Sequence, residues 1–213
     1  MISLLLIFIF SGLVSFLGSL QLGPVNLFVI NSVVYQSKRT AYCVAIGGCI
    51  PEFIYCGLAV FANSYLLEHK SLIFLLKIVF IIMLILVGFI FYFKKQSPIA
   101  LQNETSSTEQ AIQAIFKGFS LAVLNPQLLP FWVFIQIYFN SIPFLQIKSN
   151  FEKFSYILGS GVGAFMLLAF FIHIVNKYRE KVLKYMHNDY YFKALSLLFF
   201  ALAGHQIWML INS

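Results

Sequence analysis

The sequence predicts an all-α integral membrane protein with six transmembrane helices, arranged as two inverted three-helix repeats in which helices one and four are broken. The first observation is composition, because 61% of the 213 residues are hydrophobic and only 10% are charged. A chain with so little polar surface cannot coat a soluble domain of this size, so most of its surface must face lipid. The second observation is a pair of proline motifs, LGPVN at residues 22–26 and LNPQ at residues 124–127, each of which interrupts a long apolar run.

Six apolar runs each reach the ~20 residues that are needed to cross ~30 Å of hydrocarbon. The first and the fourth run are the longest, and extra length is what a broken or tilted span requires. The runs cover residues 3–35, 41–61, 71–93, 111–140, 154–176 and 192–211.

A polar linker at residues 96–110 divides the six runs into two groups of three. We therefore expect a first three-span repeat at residues 1–95 and a second at residues 111–213. Because three is an odd number, two related halves must be inverted relative to each other, and the two broken spans then become symmetry mates. Matched, proline-interrupted spans of this kind are typical of a membrane transport site.

Lysine and arginine are concentrated on the loops after the odd-numbered spans. These residues are Lys38, Arg39, Lys94, Lys95, Lys117, Lys177, Arg179, Lys181, Lys184 and Lys193. The positive-inside rule then places the odd loops in the cytoplasm and both termini outside the cell. The net charge of +7 is thus explained by topology, and the sequence shows no basic patch interleaved with aromatic residues that would indicate nucleic-acid binding.

Each proline motif is expected to end one half-helix and to start another, because proline has no backbone N–H with which to continue a helix. Gly23 then falls at a cap position, with Pro24 at the first helical position. Asn125 and Pro126 repeat this arrangement. Since backbone groups freed in hydrocarbon must be satisfied by protein or cavity water, the two breaks predict a buried polar site near the midplane. The positive dipole ends of two half-helices would meet there, which suits a carboxylate.

Glu52 is the only acidic residue deep inside a predicted span. An ionised side chain is expensive in the bilayer and indicates a functional site by default. We expect the proton occupancy of Glu52 to depend on what binds beside it, which describes a site for a proton or an ammonium group. The alternative is that Glu52 stays protonated and only bonds a neighbouring helix. For Asn26, Gln127 and Gln136 the choice lies between lining the cavity and bonding between helices.

The residues GPVNLFVI at positions 23–30, followed by Lys38 and Arg39 and then by an intramembrane acid, resemble the start of the LysE/RhtB family of amino-acid exporters. The LNPQ motif is similar to the second signature of that family. This resemblance implies export of amino acids or their derivatives from the cytoplasm of the cell through its inner membrane, by proton antiport. Members that export lysine or arginine often carry an aspartate shortly after the second motif. This chain has Phe131 and Trp132 there, which favours a neutral amino acid or a small zwitterion.

We therefore predict a transporter and no enzyme. Glu52 is the predicted coupling residue. The substrate-binding residues are predicted to be Gly23, Pro24, Asn26, Asn125, Pro126 and Gln127. The predicted partners are an amino-acid substrate, protons and membrane lipid, with no cofactor and no nucleic acid, and self-association is left open.

A rival interpretation uses span two alone, where Cys49, Glu52 and Cys56 are spaced at i, i+3 and i+7 on one helix face. Two thiolates and one carboxylate could bind a soft divalent metal ion, as a cadmium-type exporter would require. The third cysteine, Cys43, lies on the same span, and no two cysteines form a CxxC pair. A disulfide framework is therefore not indicated.

Overall fold

The computed structural model describes residues 2–20, 23–62, 70–93, 107–123, 125, 128–186 and 189–211, and every regular element in these ranges is an α-helix. The helices are α1 (Ile2–Gly18), α2 (Pro24–Tyr35), α3 (Lys38–Phe61), α4 (Lys70–Phe93), α5 (Ser107–Val123), α6 (Leu128–Ser141), α7 (Asn150–Lys177), α8 (Arg179–Met186) and α9 (Asp189–Ile211).

Two helices in the described ranges, α3 and α7, are each long and apolar enough to cross a membrane. The helices α5 and α6 provide a third such span if they are counted together, with a bend of 66° between them. The helices α1 and α2 are shorter and apolar, with 17 and 12 residues. The predicted all-helical membrane class is confirmed, whereas six crossings in two inverted repeats remain a prediction.

The long helix α3 occupies the centre of the described structure. It contacts α2, α5, α6 and α7, while α1 packs along α7 and α4 packs along α9. Buried residues of α2, α3, α5 and α7 form one apolar cluster, and buried residues of α1, α3, α6 and α7 form another. Both clusters share α3, so a residue at the middle of this helix is enclosed from several sides.

Two helix pairs approach so closely that only glycine fits between their backbones. A Cβ atom added at Gly163 of α7 would collide with the backbone carbonyl of Gly12 in α1. In the same way, a Cβ atom at Gly118 of α5 would collide with the carbonyl of Val44 in α3. Small residues at such positions let membrane helices pack by van der Waals contact where no hydrophobic force joins them.

Several helix boundaries differ from the sequence-based expectation because of local caps. Helix α3 begins at residue 38, ahead of the expected residue 41, since the hydroxyl of Ser37 accepts a hydrogen bond from the Thr40 N–H at 3.1 Å. Helix α7 begins at residue 150, ahead of residue 154, after a capping box of Ser149 and Glu152. Helix α5 begins at Ser107, inside the expected linker. The loop after α7 contains the short helix α8, which hydropathy did not predict.

Candidate functional site

The first break has the cap geometry that the sequence predicts. Helix α1 ends at Gly18, and a turn at residues 19–20 follows. Gly23 is the N-cap of α2, with extended backbone angles φ −91° and ψ 175°, and Pro24 is the first helical residue. The carbonyl of Gly23 accepts the first bond of the new helix, from the Leu27 N–H at 3.2 Å.

Asn26 of α2 bonds the backbone on the α1 side of this break. Its Nδ2 donates a hydrogen bond to the carbonyl of Ser19 at 2.8 Å, and its side chain is buried. The carbonyls at the end of a helix have no partner within that helix, so they need donors from elsewhere. The expectation that Asn26 belongs to the site stays a prediction, but the structure places it on the backbone of the break itself.

The second break separates α5 from α6. The Asn125 N–H donates to the carbonyl of Ala122 at 3.0 Å, and the carbonyl of Asn125 accepts from Leu128 N–H at 3.4 Å. The hydroxyl of Tyr55 in α3 donates to the carbonyl of Val123, the last residue of α5, at 2.6 Å. A side chain 68 residues away thus satisfies a carbonyl that the break frees.

Pro126 and Gln127, two of the predicted substrate-binding residues, lie outside the described residues. Tyr55 was not among the predicted site residues. Its position three residues after Glu52, on the same face of one helix, was the available signal.

The two breaks lie around the middle of α3. The side chain of Val25, in the first turn of α2, lies against Gly48, so closely that an added Cβ would be 2.6 Å from Val25 Cγ1. Gly18, at the end of α1, lies against the ring of Phe131 near the start of α6, with 2.8 Å between the ring and an added Cβ. Together with the Tyr55 bond, these contacts bring the start of α2 and the end of α5 to the central helix, and they bring the end of α1 to the start of α6.

Glu52 lies at this centre, with only 5% of its surface exposed. Its Oε1 accepts a hydrogen bond from the hydroxyl of Ser15 in α1 at 3.2 Å. Ser15 itself is 1% exposed, as is expected of a polar group whose hydrogen bond replaces water. The prediction of a buried acid inside span two is confirmed. Ser15 was missed, although Ser11 and Ser15 stand one helical turn apart in an otherwise apolar segment.

Helix α6 presents two polar atoms that are buried without a hydrogen-bond partner in the described part of the chain. They are Nε1 of Trp132 and Oε1 of Gln136. The indole of Trp132 lies beside the carboxyl group of Glu52, although its geometry does not reach a hydrogen bond. Gln136 was considered for the cavity lining from its sequence position, and its burial agrees with that possibility.

An aromatic cluster supports this part of α6. The ring of Tyr156 in α7 packs edge-on against Trp132 at 5.3 Å between centroids and against Phe139 at 5.2 Å. The hydroxyl of Tyr156 also donates to the backbone carbonyl of Trp132 at 3.3 Å. Edge-to-face aromatic pairs have preferred geometries, so this cluster holds the Trp132 side chain in a defined orientation.

The cysteines of α3 are the basis of the rival metal-site interpretation. Cys49 and Cys56 are buried and free, and the thiol of Cys56 donates to the carbonyl of Tyr156 at 4.0 Å. In the ranges that the structure covers, no group of three histidine, cysteine, aspartate or glutamate side chains could hold a metal ion. The geometry therefore gives no support to the rival interpretation.

Comparison with known proteins gives one result for the whole chain. The family model described as LysE type translocator matches residues 16–209, which include both breaks, Glu52 and the aromatic cluster. Comparison with curated proteins found no significant match, and comparison with solved structures found none either. Members of this family are membrane transporters, not enzymes, and they export amino acids or similar small molecules. The match extends over nearly all of the sequence, and the chain therefore belongs to the family of LysE type translocators.

Proposed function

We propose that this chain is a secondary transporter that exports a neutral amino acid, or a similar small zwitterion, from the cytoplasm by proton antiport. The observation that carries the proposal is Glu52, a buried acid that bonds Ser15 of the broken first span and lies among the ends of the half-helices. An intramembrane acid beside discontinuous helices is the arrangement that secondary transporters use to bind a substrate and a coupling ion together.

The substrate carboxylate binds at the half-helix amino ends in this proposal. Gly23 has no side chain with which to cap the first N–H groups of α2, so the positive end of that helix stays available to an anion. Pro24 and Asn26 belong to the first turn of the same helix. On the other side, Asn125, Pro126 and Gln127 of the second motif are the proposed carboxylate-binding residues. An anion between two such ends is held by backbone N–H groups without a cationic side chain.

Glu52 binds the ammonium group of the substrate and exchanges it for a proton. A buried carboxylate that is charged and has no cationic partner is energetically costly, so Glu52 must either pair with a cation or take up a proton. Substrate and proton therefore compete for one group, and this competition is the physical basis of antiport. Rocking of the broken spans around Glu52 would expose the site to each side of the membrane in turn.

Helix packing supports the two inverted three-helix repeats. If α1 and α2 correspond to α5 and α6, and α3 corresponds to α7, then a two-fold axis must relate the α1–α7 contact to the α5–α3 contact. These are the two most extensive helix contacts of the described structure, and each contains a glycine pressed against a backbone carbonyl. The contact of α4 with α9 joins the third helices of the two halves across the same axis.

Contacts between distant loops support the proposed orientation, in which both termini are extracytoplasmic. Arg179 donates from Nε and Nη2 to the carbonyl of Val34, at 3.0 and 2.6 Å, so the loops after spans one and five share one end of the bundle. The rings of Phe61 and Phe154 lie next to each other at the other end of the bundle, with 6.3 Å between their centroids. These two loops, each of which carries lysine and arginine, thus lie on one side, which the positive-inside rule assigns to the cytoplasm.

The decisive experiment is transport by the purified protein in vesicles. Vesicles loaded with a panel of labelled amino acids should release neutral ones, and an imposed proton gradient should accelerate the release. A parallel assay with Cd²⁺ tests the rival function, which needs the two thiols. Release of Cd²⁺ that is lost in Cys49→Ser and Cys56→Ser, with no release of any amino acid, would show the proposal to be wrong.

A further inference from the structure

Two unpartnered polar atoms on α6 remain after the roles above are assigned. Trp132 Nε1 is a donor and Gln136 Oε1 is an acceptor, and neither makes a hydrogen bond with the residues that the structure describes. The two side chains are 0% and 4% exposed. Buried polar groups are almost always hydrogen-bonded in native proteins, so a donor and an acceptor on residues one helical turn apart, both without partners, indicate a ligand that supplies them.

The position of this pair connects it to the Glu52 site. The two residues are four apart on one helix, so their side chains lie on the same face. The Trp132 indole lies beside the Glu52 carboxyl group. Tyr156 packs against Trp132 and against Phe139, and Gln136 stands between these two residues along α6. The donor and the acceptor thus lie on one buried face of α6, and Trp132 connects this face to Glu52.

We propose that Trp132 and Gln136 bind the side chain of the exported amino acid, and that this side chain carries a neutral carboxamide. The inference rests on the proposed function, in which the half-helix ends bind the carboxylate of the substrate and Glu52 binds its ammonium group. The side chain is then the only part of the substrate that is left for the α6 pair.

The chemistry of the pair selects the carboxamide. The carboxamide oxygen accepts from Trp132 N–H, and the carboxamide nitrogen donates to Gln136 Oε1, so both unpartnered atoms are satisfied. A hydroxyl group carries its donor and acceptor on one atom, which fits less well to partners whose Cβ atoms are ~5–6 Å apart. A charged side chain finds no counter-charge in this pair. An apolar side chain leaves both atoms buried and unpaired, and sites of this kind reject such analogues strongly.

The test compares asparagine with leucine, which has nearly the same shape and no hydrogen-bonding groups. We expect the parent protein in vesicles to transport asparagine at least about a hundredfold better than leucine. Trp132→Phe keeps an aromatic ring but removes the donor, and Gln136→Met keeps the length but removes the acceptor. Each change should reduce the preference to within about tenfold, mainly by slowing asparagine. Trp208→Phe and Gln113→Met are the matched controls at exposed positions, and they should keep the parental preference.

Fluorescence gives a second measurement that does not depend on transport. The chain contains two tryptophans, so in the Trp208→Phe protein the emission comes from Trp132 alone. Asparagine should shift this emission, and leucine at the same concentration should not. Such a shift supports the α6 site even in a preparation that transports poorly.

The outcomes separate this inference from the proposed function. Export of neutral amino acids without a preference for asparagine over leucine would overturn the α6 inference and leave the proposed function in place. A preference for asparagine that survives both Trp132→Phe and Gln136→Met would also overturn the α6 inference. So would a preference for threonine over valine that is not accompanied by a preference for asparagine over leucine. If no amino acid is exported and none changes the Trp132 emission, both proposals are wrong.

Discussion

A hydrogen bond between Ser15 and Glu52 connects α1 to the central helix α3. The hydroxyl of Ser15 donates to Oε1 of Glu52, and both side chains are almost fully buried. A carboxyl group with a neutral hydroxyl donor can gain or lose a proton without losing this contact, because the oxygen accepts the bond in either state. The pair thus allows Glu52 to change its charge while α1 stays in place.

Removing the charge from Glu52 should abolish transport without unfolding the protein. Glu52→Gln keeps the shape and an oxygen that can accept from Ser15, so folding and membrane insertion should be largely intact. Any residual export should no longer depend on the pH gradient, while Glu52→Asp should retain part of this dependence. Vesicle transport at several imposed pH gradients measures both effects.

The control for this change is Glu180→Gln, which makes the same substitution on an exposed surface of α8 and should export at the parental rate. Parental export by Glu52→Gln, with unchanged pH dependence, would mean that coupling lies elsewhere. The exposed His205 of α9 would then be the next residue to change.

Among the helices, the two close backbone contacts set how α1 meets α7 and how α5 meets α3. We expect Gly163→Ala and Gly118→Ala to lower the melting temperature of the detergent-solubilised protein by several degrees, because the new methyl group would collide with a backbone carbonyl. The matched control is Gly204→Ala in α9, where an added Cβ meets nothing within 4 Å. There alanine should leave the protein unchanged or stabilise it by up to about 1 kcal/mol. Equal melting temperatures for all three variants would contradict the close contacts.

At the second break, the hydroxyl of Tyr55 donates a hydrogen bond to the carbonyl of the last residue of α5. Tyr55→Phe retains the ring but leaves the carbonyl of Val123 without this donor, and losing such a half-buried hydrogen bond costs about 0.5–1.5 kcal/mol. We expect a lower melting temperature together with slower transport, because α5 ends at the proposed site. Tyr138→Phe, at an exposed position of α6, should change neither quantity. If both substitutions behave alike, the carbonyl has another adequate donor.

For the molecule as a whole, the positions of the charged loops predict the orientation in the membrane. Reporter proteins fused near Gln102 and Lys184 should report a cytoplasmic location, and a fusion in the α6–α7 loop near Phe144 should report the opposite side. The contact of Arg179 with Val34 joins α8 to the end of α2, as this orientation requires. A reporter that is active outside the cytoplasm at Gln102 would refute both the orientation and the inverted repeats.

The sequence alone determined the membrane class, the half-helix start at Gly23 and Pro24, and the buried position of Glu52. Hydropathy, the missing N–H of proline and the cost of burying a carboxyl group all act within one segment, so one segment suffices to predict them. Only the tertiary structure decided which side chains surround Glu52. Ser15 reaches it from 37 residues away and Tyr55 reaches Val123 across 68 residues. Such partners depend on how the helices pack, and helices that are apolar on every side give little periodic signal of which face turns inward.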